Sequence, residues 1–196
     1  MRLRWPLRLL FALWSALTLQ RWDAKTVEET VCLRTTERLR WTAHFVVQEA
    51  TAHALDVHLP AVAVPRTVAS PGSTRVRRYL TDHFARLPTA WHIEADAFVA
   101  ETPLGPKVIT NLIVSHPRAL QPDTSRLVLA AHYDSKVFPA NATFIGATDS
   151  AVSVSMLLSL ATAVDQVPWQ PTDRALQFIF FDGEEAFVEW SAEDSM

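Results

Sequence analysis

Two short apolar runs on either side of a helix-like segment constrain the fold of this chain more than any other feature. The runs are 126–132 (RLVLAAH) and 175–181 (ALQFIFF), and the segment between them, 149–164, has apolar residues at helical spacing. Compact apolar runs of this length are typical of buried strands. A strand, a long connection with a helix and a second strand form a βαβ unit, so we expect the two strands to be parallel neighbours.

The residues before this unit predict further helices and strands. Residues 25–58 contain no Pro or Gly and predict one or two helices, whereas 59–71 contains three prolines and predicts an extended connector. Strands are predicted over 91–100 and 107–115, where β-branched and other apolar residues recur. The chain is therefore expected to have an α/β fold around a central mixed sheet.

A turn and a helix are predicted between the connector and the first strand. Ser70-Pro71-Gly72-Ser73 is a strong turn signal, and Ser73 is predicted to cap a helix that starts at Thr74. Apolar residues then recur at helical spacing as far as Leu87, and Pro88 is expected to end the helix.

The N-terminus predicts a targeting segment. Three arginines among the first eight residues precede an uncharged apolar run, Leu9 to Leu19. A positive flank before a short apolar run is typical of a secretory signal, and the run is short for a membrane-spanning helix. We therefore predict a signal peptide over 1–22, with a short signal anchor as the alternative, followed by a single domain over 23–196.

Charge, cysteine content and one sequon narrow the class of protein further. The net charge of −3 gives no electrostatic basis for nucleic-acid binding, and the single cysteine, Cys32, excludes an internal disulfide. The sequon Asn141-Ala142-Thr143 is a candidate glycosylation site. Together with the leader it predicts the secretory pathway, either as a secreted protein or as one anchored in the Golgi membrane.

Polar residues gather where the two strands of the βαβ unit end. His132 and Asp134 follow the first strand, Glu184 and Glu185 follow the second, and Asp149 opens the helix between them. In open α/β sheets such residues meet at one edge. Each has a simpler interpretation when taken alone: a helix cap for Asp149, a hydrogen-bonded core residue for His132 and solvated loop charges for the two glutamates.

The joint placement of these residues favours a metal site. Carboxylates that lie close together raise one another's pKa, and a cation between them removes the repulsion. Histidine and carboxylate donors without cysteine suit zinc.

Three motifs make the sequence resemble a known family. LVLAAHYDSK (127–136), GATDSAV (146–152) and FFDGEEAFVEW (180–190) closely resemble segments of animal glutaminyl-peptide cyclotransferases, which are related to zinc aminopeptidases. The resemblance covers residues 65–196. It implies a three-layer α/β sandwich with a central mixed, mostly parallel sheet that is incomplete at the C-terminus.

The resemblance also implies roles for individual residues. Asp149 and Glu185 match two ligands of a single zinc ion, and Glu184 matches the general acid–base. Trp190 matches an aromatic residue that lines the substrate pocket. A residue matching His132 binds a second metal in the related two-zinc peptidases.

That second metal is absent from the cyclotransferases. The resemblance therefore implies that His132 and Asp134 support the ligands from outside or serve the structure. It also implies a cis peptide bond after Asp149.

The implied reaction converts an N-terminal glutamine, and more weakly glutamate, of a peptide or protein into pyroglutamate. The α-amine attacks the γ-amide and ammonia leaves, and the enzyme is expected to act as a monomer. A third zinc ligand, a histidine, and two further acids are expected beyond residue 196, so this chain is predicted to be an incomplete and inactive fragment. The alternatives are a zinc aminopeptidase of the same clan and a non-catalytic truncated binding form.

Overall fold

The computed structural model describes residues 52–138, 143–166, 174–191 and 194, all within the compact unit formed by residues 46–196. The predicted signal segment 1–22, most of the predicted helices over 25–58 and the sequon residue Asn141 lie outside the described residues.

A helical segment opens the described part of the chain. A π-helical turn, Ala54–His58, continues directly into helix α1, Leu59–Val62. The prediction of an extended connector from residue 59 was therefore wrong over its first four residues. Pro60 lies at the junction of these two segments, in the first turn of α1.

Helix α2 spans Pro71–Arg86 and starts three residues earlier than predicted. Ser70 is its cap instead of Ser73, because the Ser70 side chain accepts a hydrogen bond of 3.1 Å from the backbone N–H of Ser73. Pro71 suits the first helical position, where its fixed φ matches the helix. The helix ends before Pro88, as predicted.

Four strands form one sheet. They are β1 (His92–Ala100), β2 (Lys107–Ser115), β3 (Ser125–His132) and β4 (Arg174–Phe181), in the order β1-β2-β4-β3. A short 3-10 helix, Pro117–Leu120, lies between β2 and β3, and helix α3, Ser153–Gln166, connects β3 to β4.

The strand pairings confirm the βαβ unit and a mixed sheet. Strands β3 and β4 are parallel, with Leu129 opposite Phe178 and His132 opposite Phe181. The β1–β2 and β2–β4 pairings are antiparallel. The expectation of a mostly parallel sheet therefore does not hold among the described strands, because the short connection 101–106 makes β1 and β2 a hairpin.

Strand β3 was predicted to be buried and is instead largely exposed in the described part of the chain. It forms one edge of the sheet, where Leu127 is 46% exposed and Val128 is 44% exposed. Its neighbour β4 is the buried strand, because β2 and β3 flank it and the helices cover one of its faces. The apolar run 126–132 therefore predicted the strand correctly but not its position in the sheet.

The main core lies between one face of the sheet and helices α2 and α3. Phe84 of α2 packs against Phe178 and Phe180 of β4 with ring centroids 5.5 and 6.0 Å apart. Leu158 of α3 is fully buried in the same cluster. The opposite face carries only a small cluster of Val68, Ile109 and Phe187 among the described residues.

Candidate active site

The parallel pairing of β3 and β4 brings the predicted site residues to one edge of the sheet. His132 is the last residue of β3 and pairs with Phe181, the last residue of β4. The residues that follow each strand therefore leave the sheet side by side. Tyr133 continues the pairing, since its backbone N–H donates a 2.7 Å hydrogen bond to the carbonyl of Phe181.

His132 is the centre of the candidate site. Its Nε2 atom lies 2.8 Å from Asp149 Oδ1 and 3.6 Å from Glu184 Oε2, and its Nδ1 atom lies 3.3 Å from Asp134 Oδ1. The side chain is only 11% exposed. Residues from all three predicted motifs therefore meet at this imidazole.

The carboxylates around His132 keep it protonated in this arrangement. Burial alone lowers the pKa of His132, but hydrogen bonds to Asp134 and Asp149 and the charge of Glu184 outweigh it and raise the pKa to about 9. A cationic imidazole thus partly neutralises a strongly acidic cluster.

The buried side chain of Asp134 fixes the backbone of the turn that carries Glu184 and Glu185. Its Oδ1 atom accepts a 3.2 Å hydrogen bond from the backbone N–H of Glu184, and its Oδ2 atom accepts a 3.1 Å bond from that of Glu185. The side chain is 1% exposed. Asp134 therefore fixes the backbone of both glutamates, which agrees with a supporting role.

Asp149 lies in a tight turn before helix α3, within the π-helical stretch Ala147–Val152. The turn starts at Gly146, whose φ of 47° favours glycine, and the peptide bond between Asp149 and Ser150 is cis, as the resemblance implies. The Ser150 hydroxyl donates a hydrogen bond to the carbonyl of His132. These contacts hold Asp149 next to the end of β3.

Glu185 is the buried glutamate of the pair, with 6% exposure. Burial raises its pKa, and the charges of Asp149, Asp134 and Glu184 act in the same direction. The repulsion expected between converging carboxylates therefore acts on Glu185, with the charge of His132 opposing it. The charges of His132 and Arg66 offset part of the cost of an ionised Glu185, and a bound cation would offset more.

The donors present fit zinc in kind and fall short in number. Carboxylate oxygens and imidazole nitrogens are ligands that zinc accepts, and the excess of carboxylates is the charge that a cation would offset. Among the described residues, however, no group of three His, Cys, Asp or Glu side chains is spaced to hold a metal ion. Asp149 and Glu185 would therefore supply two donors, and a third would come from outside this group.

Glu184 and Trp190 lie on the open side of the cluster. The Glu184 side chain is 43% exposed and Trp190 is 56% exposed. Lys136 lies 5.2 Å from the centroid of the Trp190 ring, and its Nζ atom donates a 3.2 Å hydrogen bond to the carbonyl of Ala186. The indole is thus held beside the segment that follows β3, at the solvent boundary of the site.

Three further residues fix segments around the site, and the sequence assigned none of them a role there. Asp182 accepts a 3.1 Å hydrogen bond from the backbone N–H of Thr110, and burial raises its pKa to about 6. The Asp194 carboxylate accepts hydrogen bonds from the N–H groups of residues 187–189. The fully buried Arg66 binds backbone carbonyls of the site, and its isolated charge within the apolar stretch 59–69 was the available signal.

Comparisons of the sequence with known proteins point to one group of relatives. Residues 111–193 match Peptidase family M28. The glutaminyl-peptide cyclotransferase-like protein of Bos taurus is 45% identical over 158 residues, which cover 77% of this chain and 40% of the relative. The glutaminyl-peptide cyclotransferase of Dictyostelium discoideum is 39% identical over 165 residues, which cover 76% of this chain and 45% of the relative. The chain thus spans less than half the length of these relatives.

Comparisons with solved structures point to the same group of relatives. The structure of a glutaminyl cyclase from Macrostomum lignano superposes with a TM-score of 0.64 at 37% identity, covering 76% of this chain and 43% of that chain. A Zn-dependent exopeptidase from Parabacteroides distasonis superposes with a TM-score of 0.58 at 19% identity, covering 76% and 52%, and shows the fold alone. Both likenesses support the predicted three-layer α/β sandwich.

Proposed function

This chain belongs to the glutaminyl cyclase family, and from that premise we propose that its site serves the conversion of N-terminal glutamine of peptides and proteins into pyroglutamate. Glutamate is expected to react more weakly. The observation that carries the proposal is the pairing of a buried glutamate, Glu185, with an adjacent exposed one, Glu184, on a turn fixed by Asp134. We assign metal binding to Glu185 and proton exchange to Glu184.

The reaction needs little from the protein beyond orientation and proton transfer. The α-amine nitrogen attacks the γ-amide carbon of the same residue, a C–N bond forms within the ring, and the bond to the departing nitrogen breaks. Glu184 is assigned the transfer of one proton from the attacking amine to the leaving group, which departs as ammonia. Its carboxylate is 43% exposed and open to solvent, which supports this assignment.

A bound zinc ion would polarise the γ-amide carbonyl oxygen as a Lewis acid. We assign two of its donors to Asp149 and Glu185. Trp190 would form one wall of the substrate pocket, and its position beside Lys136 at the open side of the site supports this role. Asp134 would keep the glutamate turn in place, and His132 would hold the carboxylate of Asp149 through the 2.8 Å contact.

The 196-residue chain alone is proposed to be inactive. Catalytic zinc sites usually have three protein donors, and no group of three candidate donors is spaced to hold a metal among the described residues. The chain also spans 40% of the Bos taurus relative, so the activity of a whole family member is proposed for these residues only in the context of such a protein. Entry into the secretory pathway through residues 1–22, glycosylation at Asn141 and a monomeric state remain part of the proposal.

A chimera tests the proposal directly. Residues 65–194 of this chain would replace the matching part of the Bos taurus glutaminyl-peptide cyclotransferase-like protein, and ammonia release from a Gln-initiated peptide would be measured with zinc present. We expect turnover by the chimera, loss of turnover in its E184Q variant and none by the 196-residue chain alone. A folded chimera without turnover would refute the assigned reaction, and turnover by the chain alone would refute its inactivity.

A zinc aminopeptidase is the second candidate, because residues 111–193 match a peptidase family. Peptide-bond cleavage releases a free amino acid instead of ammonia, and it needs an activated water. The same chimera and the chain alone would therefore be assayed with an N-terminal leucine peptide. Release of leucine that depends on Glu184 would favour the peptidase.

A further inference from the structure

Arg66 connects the separate segments that form the site. Its side chain has no solvent exposure. Its Nε atom donates a 2.6 Å hydrogen bond to the carbonyl of Tyr133, its Nη2 atom donates a 3.1 Å bond to that of Gly146, and its Nη1 atom donates to that of Ile145. Its backbone N–H also donates a 3.0 Å bond to the hydroxyl of Ser135. One guanidinium thus holds the end of β3 and the turn that carries Asp149.

The charge of Arg66 also faces the acidic cluster. Burial lowers the pKa of Arg66 to about 10, while the charges of Asp134, Glu185 and Asp149 oppose that shift. The guanidinium is therefore cationic at neutral pH. It is a fixed positive charge behind carboxylates that repel one another.

Close packing on both sides leaves Arg66 little freedom to move. A Cβ atom on Gly146 would lie 2.4 Å from the carbonyl oxygen of Asp149 and 3.3 Å from Nη2 of Arg66. A Cβ atom on Gly72 would lie 1.9 Å from the carbonyl oxygen of Pro65. The segment that carries Arg66 is therefore pressed against the start of α2, and the Asp149 turn is pressed against the guanidinium.

We propose that Arg66 is the positioning residue that fixes the turn carrying Asp149 against the end of β3, and so determines where Asp149 lies relative to Asp134 and Glu185. The inference rests on the proposed function only in that these carboxylates are the ones assigned to the metal and its support. Arg66 does not touch substrate or metal. It acts through the backbone of the two segments that carry them.

Only an arginine satisfies this arrangement. Three carbonyls in different directions accept from three different nitrogens of one planar group, and a lysine has a single ammonium at the end of a flexible stem. R66K keeps the positive charge but loses the planar group with several hydrogen-bond donors. The variant therefore separates the geometric role of Arg66 from its electrostatic role.

Hydrogen exchange measured by mass spectrometry on the zinc-free 196-residue chain tests the proposal. Compared with wild type, R66K should speed exchange in peptides covering 143–152 and 133–136 by roughly 10- to 100-fold, the range expected when hydrogen bonds from a charged donor are lost. L80A is the matched control, because Leu80 is a fully buried core side chain of α2 that carries none of the hydrogen bonds that Arg66 makes. L80A should lower the melting temperature and leave the relative protection of those peptides unchanged.

Chemical rescue supplies a second readout. R66A leaves a guanidinium-sized cavity, so methylguanidinium should restore protection of 143–152 and methylammonium should not. If R66A does not fold, the comparison of R66K with L80A decides alone. Exchange that rises equally across the chain in R66K, or that matches L80A at equal stability, would overturn the proposal. Neither zinc nor turnover enters these measurements, so failure of the proposed reaction would be a separate result.

Discussion

The helix-covered face of the sheet and the edge where β3 and β4 end have side chains of opposite chemical character. The covered face packs aromatic and aliphatic side chains of α2, α3 and β4 into one cluster. The edge gathers four carboxylates, Asp134, Asp149, Glu184 and Glu185, around one imidazole, His132. The first region stabilises the fold through apolar burial, whereas the second holds like charges close together, with His132 and Arg66 offsetting part of their repulsion. This contrast is the physical sign of a functional site.

The largest effect is expected from breaking the covered face. F178A removes a ring that contacts both Phe84 and Trp91 at the centre of the core. It should lower the free energy of unfolding by about 3–5 kcal/mol, the usual cost of a large core truncation. Urea denaturation followed by tryptophan fluorescence measures this loss. A cost below that of the site variants would show that this face is not the main source of stability.

Acid is expected to lower the free energy of unfolding by protonating His58. This side chain is 2% exposed, its Nδ1 atom lies 2.8 Å from the hydroxyl of Tyr79, and burial together with His83 and His53 lowers its pKa to about 4. The folded state therefore binds fewer protons than the unfolded state between pH 6.5 and pH 4. The contribution of His58 is fully present above pH 6.5 and is lost as the pH falls towards 4, by at most about 1.4 kcal/mol per pH unit.

H58N is the matched control for the pH dependence. Its free energy of unfolding, measured by urea denaturation at several pH values, should fall less steeply than that of wild type between pH 6.5 and 4. Equal slopes in the two proteins would contradict the assignment of this proton to His58.

A smaller loss is expected at the start of α2, on the boundary of the covered face. S70A removes the hydroxyl that accepts a hydrogen bond from the backbone N–H of Ser73 and should cost about 1 kcal/mol. S73A is the matched control, because its hydroxyl does not cap the helix in this structure. Thermal denaturation followed by circular dichroism compares the two, and a larger loss in S73A would support the original prediction of a later helix start.

The smallest effect is expected at the site, where a substitution should stabilise the fold instead of destabilising it. Burial and neighbouring carboxylates raise the pKa of Glu185, so its charge destabilises the zinc-free fold at neutral pH. E185Q removes that charge and should raise the melting temperature slightly, by less than about 1 kcal/mol in free energy, because the charge of His132 already offsets part of the repulsion. Differential scanning fluorimetry with a chelator measures the shift. A clear loss of stability would show that Glu185 supports the fold.

Local sequence patterns predicted the helices and strands and several site residues. They did not predict how elements far apart in the sequence are placed relative to one another. The strands over 107–115 and 126–132 and the parallel βαβ unit were predicted because period and length are local properties of a sequence. The edge position of β3 was not, since an apolar strand looks the same at an edge and at the centre. Which strand is buried depends on its neighbours in the sheet, and those are set by the whole topology.

The site residues divide in the same way, into those that a local pattern predicted and those that are held by contacts far apart in the sequence. His132, Asp134 and Glu184 were selected because strand ends in an α/β sheet converge, and the structure brings them together. Arg66 was missed because its contacts span 67 to 80 residues along the chain. No local pattern encodes such contacts, although a lone charge in an apolar stretch is a reason to look for a buried partner.

Isothermal titration with zinc is the sharpest test of whether Asp149 and Glu185 form the metal-binding half of this site. Wild-type chain, D149N, E185Q and H83A would be titrated under identical conditions. H83A is the control for zinc held elsewhere, because His83 lies in a separate histidine cluster with His58. We expect zinc binding by wild type and H83A, and binding at least about tenfold weaker in D149N and E185Q. Equal affinity in all four proteins, or loss of binding only in H83A, would contradict this expectation.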